Sequence, residues 1–99
     1  MIDLDLIEGF DWDSGNARKN EKHGVSMAEA EQVFFNSPLL FFADALHNQQ
    51  ETRIHVLGKT DSERALHITA TLRQSNTLIR VISARDMHRK ERAIYDQAK

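Results

Sequence analysis

Between residues 52 and 84 apolar and polar side chains alternate in three runs, TRIHVLG (52–58), ALHITATLR (65–73) and TLIRVISA (77–84). A period of two belongs to a β-strand with one buried face, and an amphipathic helix cannot satisfy it. The links GKTDSE and QSN are short and polar. Links of that length join antiparallel neighbours through hairpins, since a parallel pair needs a crossover of about a dozen residues. A fourth run, LLFFAD (39–44), reads as a short strand buried on both faces except at its end.

Helices flank these strands. Asp13 or Ser14 can cap a helix through about Lys22, with Gly24 where a left-handed residue ends it. Ser26-x-x-Glu29 is a capping box for a second helix, which faces Ala30, Val33 and Phe34 inward and stops at Asn36-Ser37-Pro38. A last helix from Asp86 has Met87, Ile94 and Ala98 spaced to meet a core. The predicted order is α-α-β-β-β-β-α, an α+β domain with a four-stranded, mainly antiparallel sheet spanning residues 1–99. Trp12 and Phe10 are expected to anchor the N-terminal segment, and the first helix is polar nearly all round, with Asn16, Lys19, Asn20 and His23 in one stripe.

Strand alternation then sorts the chemistry. If Ile54, Val56, Leu66, Ile68, Ala70, Leu72, Ile79 and Val81 meet the helices, the opposite face receives Arg53, His55, His67, Arg73 and Arg80. A ladder of arginines repels itself unless an anion, or a carboxylate such as Glu51, sits nearby. The net charge is −2, but charge is segregated along the chain. Asp3, Asp5, Glu8, Asp11 and Asp13 open it without a lysine or arginine, whereas residues 73–92 carry Arg73, Arg80, Arg85, Arg89, Lys90 and Arg92 against Asp86 and Glu91. A local basic surface can act on a polyanion despite a near-neutral sum.

Some chemistries are excluded or disfavoured. There is no cysteine, so disulfides, thiolate nucleophiles and cysteine zinc sites are absent. His47, His55, His67 and His88 show no metal-ligand spacing, and no phosphate-cradling glycine loop or nucleophile elbow appears. No cofactor or metal is expected. No apolar run approaches ~18 residues, and the start MIDLDLIEGFDWD lacks a basic leader, so a cytoplasmic protein without membrane contact is expected.

Metal-free cleavage of an RNA phosphodiester needs a base for the 2′-hydroxyl, an acid for the leaving 5′ oxygen and cations for the phosphorane charge. His23 with Lys19 and Lys22 at the end of the first helix, Arg53, Arg73 and Arg80 on the sheet, and Arg85 beyond it are suited to that work. Tyr95, one turn beyond Glu91, could donate a hydrogen bond to phosphate. Structural roles compete: His23 can bond the last carbonyls of its helix, Arg85 can pair with a carboxylate, and Tyr95 can pack against the sheet.

FDWDSGNARKNEKHGVSMAEAEQVF, the Glu51-x-Arg53 pair ahead of LGKT, and RVISARDMHRKERAIY, taken in this order, closely resemble the BrnT toxin family over residues 10–95. The resemblance implies a RelE-like fold and a ribonuclease toxin of a type II toxin–antitoxin pair that cuts RNA without metal and inhibits growth. It also implies a BrnA-like ribbon-helix-helix antitoxin, with operator DNA bound only by the complex. Carried over by position, Lys22 and His23 match the KHG block and Glu51 and Arg53 the acidic–basic pair. Arg80 and Arg85 match R-x-I-S-A-R, and Glu91, Arg92 and Tyr95 the closing signature. The chain departs at Asn16, where many members carry lysine and an amide supplies no charge to phosphate.

The expected catalytic set is therefore His23, Arg53, Arg80, Arg85 and Tyr95, with Lys19, Lys22, Arg73 and Glu51 binding substrate. The alternative is a non-catalytic basic module for an acidic partner or nucleic acid, with the acidic N-terminus as an internal or dimer-mate decoy for the basic face.

Overall fold

The computed structural model describes residues 3–43 and 53–99. Strands β1 (Gly9–Phe10), β2 (Leu40–Ala43), β3 (Arg53–Lys59), β4 (Ala65–Arg73) and β5 (Leu78–Asp86) form one sheet in the order β1-β5-β4-β3-β2. Helices α1 (Ser14–Lys22), α2 (Met27–Val33) and α3 (Arg89–Gln97) complete the α+β domain, and a short 3-10 turn covers Leu4–Leu6.

The sheet has five strands where the sequence predicts four. The extra one, β1, is two residues long and pairs in parallel with β5, Gly9 opposite Leu78 and Phe10 opposite Ile79. Two residues cannot display an alternation. The strand exists because Glu8 N donates to Thr77 O (2.7 Å) and Asp11 N to Ile79 O (2.8 Å). The other pairings are antiparallel, as the short links require.

One sheet face and α2 enclose the main core of Val25, Ala30, Val33, Phe34, Ile54, Val56, Leu66, Ile68, Ala70, Ile79, Val81 and Ala84. Gly58 lies where α2 crosses β3: a Cβ there would meet Val33 Cγ1 at 2.6 Å, so the glycine sets the approach of the helix. Phe10 packs against Phe34 with ring centroids 5.6 Å apart, and Trp12 Nε1 donates to Glu31 at 2.8 Å, anchoring the N-terminal segment as expected. On the opposite face α3 covers a smaller cluster of Leu57, Ala65, Met87 and Tyr95, with Leu40 against it. This last helix starts later than predicted, because β5 continues through Asp86. Its buried residue is Tyr95, whereas Ile94, expected in the core, is 49% exposed.

Beyond β1 the outer edge of β5 meets α1 rather than another strand. Asn16 Nδ2 donates to Val81 O (3.0 Å) and Asp11 O (3.1 Å), and Asn20 Oδ1 accepts from Ala84 N (2.8 Å). Both asparagines are buried. They take the place of strand hydrogen bonds for backbone groups that would otherwise be stranded away from water. The polar stripe of the first helix is thus split: Asn16 and Asn20 face the sheet, and Lys19 and His23 face solvent. Asn16 also completes the helix start, its Oδ1 accepting from Asp13 N while Asp13 Oδ1 accepts from Gly15 N and Asn16 N.

The turn after α1 is held from across the sheet. Arg64 donates to both carboxylate oxygens of Asp86 (2.7 and 3.1 Å), to Gly24 O (2.8 Å) and to Glu29 (3.1 Å). Gly24 has φ +73, a conformation that other residues rarely adopt, so the predicted helix stop stands. Glu29 closes its capping box with Ser26 in both directions at 3.1 Å.

Because Asn20 pairs a buried backbone N–H, Asn20→Ala should destabilise the fold by about 1–3 kcal/mol, the usual cost of such an orphan. Urea unfolding measures this. Lys19→Ala on the solvent side of the same helix should stay within about 0.5 kcal/mol of the parent.

Candidate functional site

The register between β3, β4 and β5 arranges the second sheet face in rows. Leu57, His67 and Arg85 form one row; His55, Thr69 and Ser83, with Phe42 from β2, form the next; Arg53, Thr71 and Arg80 form a third. Arg73 follows, opposite Leu78. Four arginines and two histidines therefore share a face.

Strict alternation would have turned Arg85 the other way, five residues from Arg80. The pairing shifts between Thr69, which faces Ser83, and Ala70, which faces Val81. Ile82 is the extra residue of a β-bulge, and it changes the phase of β5 so that Ala84 enters the core while Arg80 and Arg85 share the outer face. Bulges re-aim side chains in this way.

Carboxylates of the same chain already hold both arginines. Arg80 reaches Asp13 at 3.0 Å and Asp11 at 3.6 Å. Arg85 makes a two-pronged pair with Glu91 at 2.8 and 3.0 Å and also donates to Asp86 O. The Arg85 bonds, together with the His88 backbone N–H at 2.8 Å, hold the Glu91 carboxyl well down, at about 2. The two arginines are about 16 Å apart along β5 and pull toward opposite ends of the face. Arg53 and Arg73 are also engaged by neighbours.

Between these ends lies a pair of imidazoles. His55 Nδ1 is 3.2 Å from His67 Nε2 and 3.1 Å from Thr69 Oγ1, and the two rings are 5.1 Å apart. His67 Nε2 also lies 4.0 Å from Glu91 Oε2. In the tautomer with the proton on His55 Nδ1, that nitrogen donates to His67 Nε2, and the basic lone pair of the ring is on His55 Nε2. Burial first, and the Arg85 charge second, push the His67 imidazolium down to about 4, so the ring is neutral near pH 7. His67 Nδ1 is buried without a hydrogen bond. With Phe42, Leu57, Glu91 and Ile94 the pair lines a hollow of about 210 Å³. A larger apolar groove, lined by Leu4, Ile7, Phe10, Phe34, Phe35 and Ile79 among others, opens beside β1 and α2.

The remaining expected site residues lie elsewhere. His23 is the exposed C-cap of α1, its backbone N–H bonded to Asn20 O, and Lys19 and Lys22 are exposed on the same helix. Tyr95 is 1% exposed and its hydroxyl donates to Pro38 O at 2.8 Å, so it holds α3 to the start of β2. Glu51, like His47, falls outside the described residues. Asn16 is a structural residue of the β5 edge and does not stand in a phosphate stripe. Sequence reasoning set His55 and His67 on the arginine face but left them out of the site. Their signal was the alternation itself, and what was missing was the register that makes them diagonal neighbours.

A family model described as the ribonuclease toxin, BrnT, of type II toxin–antitoxin systems matches residues 12–91. The chain belongs to the BrnT family. The match takes in the KHG turn, the imidazole pair, the bulged strand and Glu91, and ends before Tyr95. No curated protein matches the sequence. Among the described residues of this BrnT-family chain, no helix is long and apolar enough to cross a membrane, and no group of three or more His, Asp or Glu is arranged to hold a metal ion.

The depressed His67 value makes stability depend on pH. The unfolded chain takes up the proton near the ordinary histidine value of 6.5, the folded chain only near 4. The contribution is complete above 6.5 and is lost as pH falls toward 4. Glu91 acts lower, its contribution being lost between about 4.5 and 2. Between pH 6.5 and 4.5 the urea midpoint should therefore fall with acidification, and His67→Gln should flatten that slope.

Proposed function

We propose that the chain is a metal-independent endoribonuclease toxin that cuts RNA in the cytoplasm and inhibits growth. A BrnA-like ribbon-helix-helix antitoxin neutralises it, and operator DNA is bound only through their complex. Family membership supports the ribonuclease and toxin parts of this reading. The single observation that carries the chemistry is the pair of arginines Arg53 and Arg80 in the row next to a hydrogen-bonded imidazole pair, on the same sheet face.

In this reading the phosphodiester lies over Arg53 and Arg80, whose guanidinium groups stabilise the charge that builds on the phosphorane oxygens. Phosphate competes with Asp11 and Asp13 for Arg80, so binding exchanges one anion for another. His55, held at Nδ1 by His67 and Thr69, replaces His23 as the general base. It takes the 2′-hydroxyl proton, the 2′ oxygen attacks phosphorus, and the 5′ oxygen leaves with a proton from water. Products are a 2′,3′-cyclic phosphate and a 5′-hydroxyl. Arg85 fixes Glu91 and through it the orientation of His67. Lys19, Lys22, His23 and Arg73 extend the cationic rim for the flanking backbone, and Tyr95 anchors α3.

Purified protein incubated with RNA in EDTA should cut it, and Arg80→Ala and His55→Gln should each lower the rate about a hundredfold while thermal unfolding stays cooperative. Expression without the antitoxin should arrest growth, and the same variants should relieve the arrest. Intact RNA with the parent protein, or undiminished cutting by both variants, would sink the catalytic reading. The carboxylates already seated on Arg80 and Arg85 favour one alternative, a basic face that holds an acidic partner by exchange. RNA that is bound yet uncut in the same assay would select it.

A further inference from the structure

We infer that the hollow between β2 and α3 seats one nucleobase of the RNA, stacked between Phe42 and Ile94 with its ribose at His55. The inference rests on the ribonuclease reading and adds to it a subsite next to the scissile phosphate.

The walls come from two elements that share no hydrogen bond ladder. Phe42 projects from β2, directly opposite His55, and is 42% exposed; Ile94 projects from α3 and is 49% exposed. Leu57, on the floor between them, and Tyr95 are buried. An aromatic ring and a branched aliphatic chain left open to water on either side of that floor suit a flat heterocycle. At about 210 Å³ the hollow falls below the roughly 300–1,000 Å³ typical of sites for drug-sized ligands, so it has room for one ring system and not a whole nucleotide.

Charge points the same way. No lysine or arginine is among the residues that line the hollow, and its one charged group is the Glu91 carboxylate, whose oxygens face Arg85. A phosphate inside would meet that anion, whereas a neutral base meets apolar walls. The sugar–phosphate chain would then run outside, from the row of His55 to the row of Arg53, Thr71 and Arg80. That direction brings the ribose of the seated base beside His55.

Short RNAs that differ only in the base 5′ to the cut provide the test, with Phe42→Ala and Ile94→Ser as variants at exposed positions. Both should raise KM about tenfold, leave kcat within about twofold, and narrow the difference between bases. In parallel, the four nucleosides are titrated against the parent protein while the Phe42, His55 and Ile94 side-chain resonances are followed by NMR. Shifts confined to these residues are expected. A parent that cuts RNA, with variants unchanged in KM and base preference and no nucleoside shifts, overturns the subsite. Shifts in a parent that cuts no RNA keep the subsite and remove the ribonuclease reading. Loss of antitoxin affinity in the variants, with RNA kinetics unchanged, also overturns it and makes the hollow a protein contact.

Discussion

The site depends on one irregularity in β5 and on the two side chains that pin it. Asn16 binds Val81 O and Asn20 binds Ala84 N, on either side of the extra residue Ile82. An edge strand with a bulge has backbone groups that no ladder can satisfy. Helix α1 satisfies them with amides, and in doing so covers the edge, fixes its own position and holds the phase change in place. Without that change Arg85 would point into the core against α2, a cost no buried guanidinium could meet without a partner. With it, Arg85 meets Glu91 on α3 and shares the outer face with Arg80.

That face is cationic in composition yet largely matched by its own chain. The acidic opening segment supplies Asp11 and Asp13 to Arg80, and Glu91 serves Arg85. Asp13 caps α1 with the same carboxylate that pairs with Arg80, so helix start and arginine position are coupled. The acidic segment is thus paired with Arg80 within the chain. Such pairs are part-exposed and individually weak, so an incoming phosphate can displace them. The imidazole pair differs in kind: His67 is half-buried and neutral, and it holds His55 Nδ1 while both rings line the hollow.

Several elements were legible from short patterns. The capping box at Ser26 and Glu29, the glycine stop at Gly24 and the run ALHITATLR each appear where local chemistry placed them. These signals lie within a few residues, and backbone sterics and capping bonds act over that range. The placement of Arg53, His55, His67, Arg73 and Arg80 on one face was legible for the same reason, since side chains alternate along a strand. Three features were not. The strand β1 has too few residues to show a period, the bulge at Ile82 leaves no mark in a run of apolar and polar letters, and the polar stripe of Asn16, Lys19, Asn20 and His23 gives no hint that its two asparagines face inward.

The sequence by itself therefore determined the class of domain, the antiparallel core of the sheet, most helix ends and the chemical character of the second face, because those follow from period, caps and link lengths. Only tertiary structure decided which of those residues meet. Cross-strand register made His55 and His67 neighbours, packing of α3 buried Tyr95 and spent its hydroxyl on Pro38 O, and the edge position of α1 kept His23 off the imidazole pair. The physical reason is range: periodicity is a property of adjacent residues, whereas register and docking are set by contacts between residues distant in the chain, whose closure no local pattern records.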